Sequence, residues 1–129
     1  MTTSKILSDL FRWPAFIGYV ILLFVFMVLP GEKIPEMIVR VNDKLLHFVD
    51  FFLLALLGFK TFNSSSKRLF QAHAGTKIVT FSLFYGALLE WIQTAVPGRD
   101  ASFRDWMADA AGTLAALMIF SFSALTNPP

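Results

Sequence analysis

The sequence contains no cysteine, which excludes a disulfide framework, a thiol nucleophile and a thiolate metal site. Charge is scarce as well. Only 16% of the 129 residues are Asp, Glu, Lys or Arg, against 56% hydrophobic, whereas a soluble domain carries about 25% charged residues. That shortage argues against a water-soluble globule and for a membrane protein. No stripe of basic and aromatic residues accompanies the formal net charge of +2, so nothing points to nucleic acid. There is no internal repeat and no sign of a second domain.

What is present is a set of four apolar runs. Trp13 to Leu29 carries no charge, Leu45 to Phe59 holds only His47 and Asp50, Ile78 to Val96 only Glu90, and Trp106 to Leu125 only Asp109. A bilayer core needs about 20 mostly apolar helical residues at roughly 1.5 Å each. The second run reaches only about 22 Å on that rise, so it must extend to Phe62 with Lys60 snorkelling. The sequence therefore predicts an all-α polytopic membrane protein, residues 1–129 forming one domain with four transmembrane helices at about 13–29, 45–62, 78–96 and 106–125. A buried bundle in water fits poorly, because the charges lie almost entirely between the runs.

Local signals punctuate these runs. Pro14 suits the first turn of span one, Pro30-Gly31 stops it, and Pro97-Gly98 closes span three. Ser102 followed by Asp105 reads as a capping box opening span four. The connector after span two is Ser-rich and basic, with room for a short helix over Lys67 to Ala74. Lys5 and Arg12 precede the first run as in a secretory signal, but no small-residue cleavage site follows in MVLPGEK, so this run is expected to stay as a span. An even number of crossings places both termini and the middle connector on one side. That side carries Lys5, Arg12, Lys60, Lys67, Arg68 and Lys77; the other carries Lys33, Arg40, Lys44, Arg99 and Arg104. The balance favours cytoplasmic termini in the cytoplasmic membrane.

Alternating spans bring the polar residues together. Span two begins, span three ends and span four begins on one side of the membrane. Asp43, Lys44, His47 and Asp50 head span two; Glu90 and Gln93 end span three; Arg99 follows in the turn; Asp105 and Asp109 head span four. Asp43 and His47 are four apart, Glu90 and Gln93 three, and Asp105, Asp109 and Gly112 continue one face. A carboxylate in a membrane helix costs a few kcal/mol on insertion scales, about 2.5 to 3.5 at the centre and less near an end. Glu90 and Asp109 must therefore face partners, with Arg99, Lys44 and His47 the candidates.

The same residues carry a family resemblance. DKLLHF from Asp43, EWIQ from Glu90, PGR from Pro97 and DWMADAAG from Asp105 resemble the VanZ-like family of small integral membrane proteins, whose pattern is Asp-Lys-x-x-His-Phe, Glu-x-x-Gln, Pro-Gly-Arg and Asp-x-x-x-Asn-x-x-Gly. The resemblance runs from about Asn42 to Leu117. Two positions depart from it: Asp109 stands where Asn is usual, and Asp50 replaces a small or apolar residue, so this polar layer is more acidic. The resemblance implies a cell-envelope role, its namesake being linked to low-level resistance to the glycopeptide teicoplanin, but it names no reaction.

Three functions remain open. In the first, Arg99 with Lys44 binds an anionic envelope lipid or lipid-linked wall precursor, Arg supplying a planar fork for phosphate or carboxylate; its bland alternative is an Arg99–Glu90 ion pair sealing the turn. In the second, Glu90 or Asp109 is a general base and His47 an acid, or His47 and carboxylates hold a divalent metal. One clustered histidine without cysteine is a poor zinc set, so no metal and no cofactor is expected. In the third, the polar layer merely fixes the fold of a subunit that packs on an envelope protein partner. Bland alternatives apply to single residues too. Asp105 would be the partner of Ser102, Asp43 would favour a helix start, Gln93 would bond a neighbouring span, and Gly112 would let spans three and four approach. His73 would be an exposed loop residue, and Trp13, Trp91 and Trp106 interface anchors.

Overall fold

The computed structural model describes residues 3–39 and 41–126, with residues 4–6, 8 and 39 described as backbone only. Arg40 and the Lys5 side chain, both used in the orientation count, lie outside the described residues. The elements are helix α1 (Thr3–Val28), a 3-10 turn (Gly31–Lys33), and helices α2 (Glu36–Val39), α3 (Asp43–Asn63), α4 (Arg68–Gln71), α5 (Ala74–Gln93) and α6 (Phe103–Thr126). The described residues contain no strand, as expected of an all-α chain.

Three helices are long and apolar enough to cross a membrane: Asp9–Val28 within α1, α3, and α6. The fourth long helix, α5, has 20 residues, but Lys77, Glu90, Gln93 and its hydroxyl side chains dilute its hydropathy. The long helices start before the apolar runs, at Thr3, Asp43, Ala74 and Phe103, whereas α5 ends at Gln93, short of the expected Val96. Pro14, expected in a first turn, stands inside α1 because that helix already begins at Thr3. The Asn42 side chain accepts the Lys44 N–H at 3.0 Å and caps α3, satisfying one of the donors that a helix start leaves unpaired. The connector helix is shorter than Lys67 to Ala74, and His73, exposed at φ 56°, turns the chain into α5.

Helix α3 is the centre of the bundle, touching α1, α5 and α6 and lying most extensively against α6. Gly112 explains that approach. A Cβ there would collide with the backbone of Phe48 and Phe52, so only glycine lets α6 rest directly on α3. The expectation that Gly112 joins spans three and four is thus corrected to spans two and four. The apolar core comprises Phe16, Leu23 and Met27 of α1, Phe51, Leu54, Ala55 and Phe59 of α3, Ile78 and Leu89 of α5, and Ala116 of α6. Large apolar side chains also cover the outside, among them Phe11, Ile21, Phe84, Met118 and Phe122. Of the tryptophans, Trp91 is exposed, whereas Trp13 packs on Phe62 and Phe70, and Trp106 donates its indole N–H to the Leu83 carbonyl at 3.0 Å.

Candidate functional site

Two Pro-Gly stops build one wall of the polar end. The Gly31 N–H donates to the Pro97 carbonyl at 3.1 Å, and Gly98 adopts φ +71°, a left-handed conformation that glycine enters freely. A Cβ on Gly31 would strike the Gly98 carbonyl oxygen, so the two turns touch only as glycines. Docking the α5–α6 turn on the end of α1 delivers Arg99 to that helix's last carbonyls. Its Nε donates to Leu29 O at 3.2 Å and its Nη2 to Phe26 O at 3.0 Å, with the guanidinium 5.8 Å from the Phe26 ring centroid. A helix end leaves such carbonyls without donors and favours a cation beside them. The alternative of an Arg99–Glu90 ion pair is therefore not what seals the turn. Gln93 adds to the same junction by donating to Met27 O at 3.2 Å, as its hydrogen-bonding alternative anticipated.

Glu90 instead meets α6. Its Oε2 accepts the Ser102 N–H at 2.7 Å. In a capping box that N–H would go to the carboxylate three residues into the helix, but Asp105 turns away and accepts from Lys44 Nζ at 2.8 Å. A neighbouring helix thus performs the role assigned to Asp105, and Asp105 ties α6 to α3. Deeper in the bundle, His47 Nδ1 lies 2.9 Å from Asp109 Oδ1 and 3.8 Å from Glu90 Oε1. All three residues are buried: His47 is 4% exposed, Glu90 8% and Asp109 1%. Gly86 makes room for the last of them, because a Cβ there would sit 2.8 Å from Asp109 Oδ2. Glu90 Oε1 is buried and accepts no hydrogen bond among the described residues.

The remaining sequence candidates divide. Asp43 is exposed at the start of α3 and lines a cavity of about 330 Å³ together with His47, Arg99, Gly31 and Gly98, over an apolar floor of Phe26, Met27, Ile38 and Leu46. Lys44, expected to act with Arg99, is not among its lining residues and is paired with Asp105. Asp50 borders α1: Tyr19 donates its hydroxyl to the Asp50 main-chain carbonyl at 3.3 Å, and both line a cavity of about 270 Å³. Sequence reasoning missed Asn42, whose place immediately before a helix start was the signal, and the fully buried hydroxyls of Ser82 and Thr113, which no local pattern marks.

Chemically, an imidazole held by a buried carboxylate and opening onto a cavity can move a proton or orient an anion. Two sets of side chains also bring ligand atoms within 4.8 Å of one another: Asp43, His47 and Asp105, and His47, Glu90 and Asp109. The VanZ/LLP1 family model matches residues 16–124, which include every one of these side chains. The chain belongs to the VanZ/LLP1 family. As a membrane protein of VanZ type, it joins three of the quoted motifs at one end of its bundle, His47 from DKLLHF, Glu90 from EWIQ and Asp109 from DWMADAAG, while the fourth, PGR, closes that end against α1. Searches of curated proteins and of solved structures return no match.

Proposed function

We propose that all four long helices of this VanZ-type protein cross the cytoplasmic membrane, with the termini inside and the polar end at the outer face. We propose further that the cavity at that end binds the anionic head group of an envelope lipid or lipid-linked wall precursor. For α5, the support is its division into faces. Phe81, Phe84, Leu88 and Trp91 are exposed along one stripe, while Ser82, Glu90 and Gln93 are buried. Its 20 residues span about 30 Å at the usual helical rise, enough for a bilayer core. A polar face turned inward and an apolar face turned outward is what lipid requires.

The observation that carries the binding reading is the cavity of about 330 Å³, with Arg99 and His47 on its wall and apolar side chains beneath. Arg99 uses Nε and Nη2 on the carbonyls of α1, and its Nη1 hydrogens meet no acceptor among the described residues. An oxyanion head group supplies such an acceptor, and the floor of Phe26, Ile38 and Leu46 accommodates the first carbons of its chain.

The full chain in nanodiscs should bind a fluorescent polyprenyl phosphate saturably, and Ile38→Trp, which fills the cavity while every polar residue stays in the sequence, should abolish binding with little change in melting temperature. Equal binding by parent and Ile38→Trp would remove the cavity from the proposal. In cells, loss of protection against a teicoplanin-type glycopeptide in the Ile38→Trp strain, at equal protein amount, is the corresponding phenotype. Orientation is open to direct mapping because the sequence has no cysteine: Asp100→Cys should react with an impermeant thiol reagent from outside, and Leu69→Cys only after lysis.

A further inference from the structure

We propose that His47, Glu90 and Asp109 form a binding site for a divalent cation of the manganese–magnesium type, with oxygen-dominated coordination. The site does not depend on the head-group reading. Three helices each contribute one ligand, His47 from α3, Glu90 from α5 and Asp109 from α6, and the ligand atoms all lie within 4.8 Å of one another. Adjacent ligands of an octahedral cation with bonds of about 2.1 Å are about 3 Å apart, and opposite ones about 4.2 Å. The observed 2.9 Å from Nδ1 to Asp109 Oδ1, also hydrogen-bond distance, matches an adjacent pair, and the 3.8 Å from Nδ1 to Glu90 Oε1 lies between the adjacent and opposite separations.

Glu90 supplies the observation that an acidic cluster alone would lack. Its Oε2 is fixed by the Ser102 N–H, which aims Oε1 toward His47. That oxygen is buried without a donor among the described residues, and an ionised oxygen in such a place is costly unless a cation or donor meets it. Charge balance agrees. Lys44 is already paired with Asp105, so the two inner carboxylates face only His47. A divalent cation between them would meet both carboxylates, and its binding to Nδ1 displaces any proton held there to water.

Ligand type decides the class. The expectation that no metal binds rested on zinc, for which one imidazole without thiolate is indeed poor. Two carboxylates and one imidazole suit a harder cation that keeps water or a phosphate oxygen in its remaining positions. The cavity lined by His47 and Asp43 gives access from outside.

The test is a Mn²⁺ titration of the chelator-stripped full chain in nanodiscs, followed by electron paramagnetic resonance. Stoichiometric binding, displaced by excess Mg²⁺, is expected, with histidine nitrogen coupling in the pulsed spectrum. Glu90→Gln and Asp109→Asn, both isosteric, should each weaken Mn²⁺ binding at least about tenfold, and Asp43→Asn should leave it nearly unchanged. Absence of stoichiometric binding, or of nitrogen coupling in the parent, overturns the site whether or not the variants fold. A large loss in Asp43→Asn would move the ion to the outer set with Asp105 and overturn it equally.

Discussion

The bundle is closed by opposite chemistry at its two ends. At one, Trp13, Phe16, Phe62 and Phe70 pack ring on ring, with centroids of 4.7 Å for Trp13–Phe70 and 5.4 Å for Phe62–Phe70. Polar groups there bond main chain: Thr61 donates to Leu57 O at 2.7 Å, Gln71 to Ser65 O at 2.8 Å, and the Ser66 N–H donates to Asp9 at 2.9 Å. At the other end, Lys44–Asp105 and His47–Asp109 join helices through charge. Among the described residues, the contacts joining the aromatic end include ring packing and hydrogen bonds to main chain. Buried carboxylates seldom stabilise more than apolar packing of similar volume, and the ligand and cation binding proposed above would give the polar end a role besides holding the fold.

The largest effect should come from the close contact of α6 with α3 beside the polar end. Gly112→Leu drives a side chain into the α3 backbone, beyond the 1–3 kcal/mol typical of overpacking, and purification should recover no monodisperse protein. Next is His47→Leu, which strands Glu90 and Asp109 and should destabilise the chain by about 3–5 kcal/mol in denaturant titrations. The triple change His47→Leu, Glu90→Leu and Asp109→Leu removes the charges together and should recover parental stability to within about 1–2 kcal/mol. If the triple variant is as unstable as the single one, the polar end is structural and the contrast between the ends fails. At the aromatic end, Trp13→Ala should lose about 2–3 kcal/mol, below the usual range for a fully buried tryptophan because Trp13 is only half-buried.

The sequence made the helices legible because apolar runs and Pro-Gly stops are local signals, and it placed the polar residues at one end because alternation fixes direction. Partners were less legible. Helical spacing tells which residues share a face but not which helix that face meets. Gly112 was therefore assigned to the wrong neighbour, and the contact of Asp50 with Tyr19 on α1 went unseen. Arg99 was harder still. Its acceptors are the carbonyls of Phe26 and Leu29, and a backbone oxygen leaves no mark in a sequence, whereas a carboxylate such as Glu90 does. The departure at Asp109 was visible as an extra acid, but that it meets His47 and Glu90 within 4.8 Å required three helices in register.

The smallest effect should be that of Lys44→Met, although its partner Asp105 is buried. Lys44 is about half exposed in its side chain, 48% against 5% for Asp105, so water and salt already screen the pair. Asp105 also lies in the first turn of α6, where unpaired N–H groups and the helix dipole favour a negative charge after the lysine is gone. Lys44→Met should therefore fold, melt closest to the parent of all these variants, and approach it further as salt is raised. Mn²⁺ binding at the inner site should persist, because Asp105 is not one of its ligands. A salt-independent loss of stability comparable to that of His47→Leu would instead place Lys44 inside the buried network and merge its outer and inner parts into one unit.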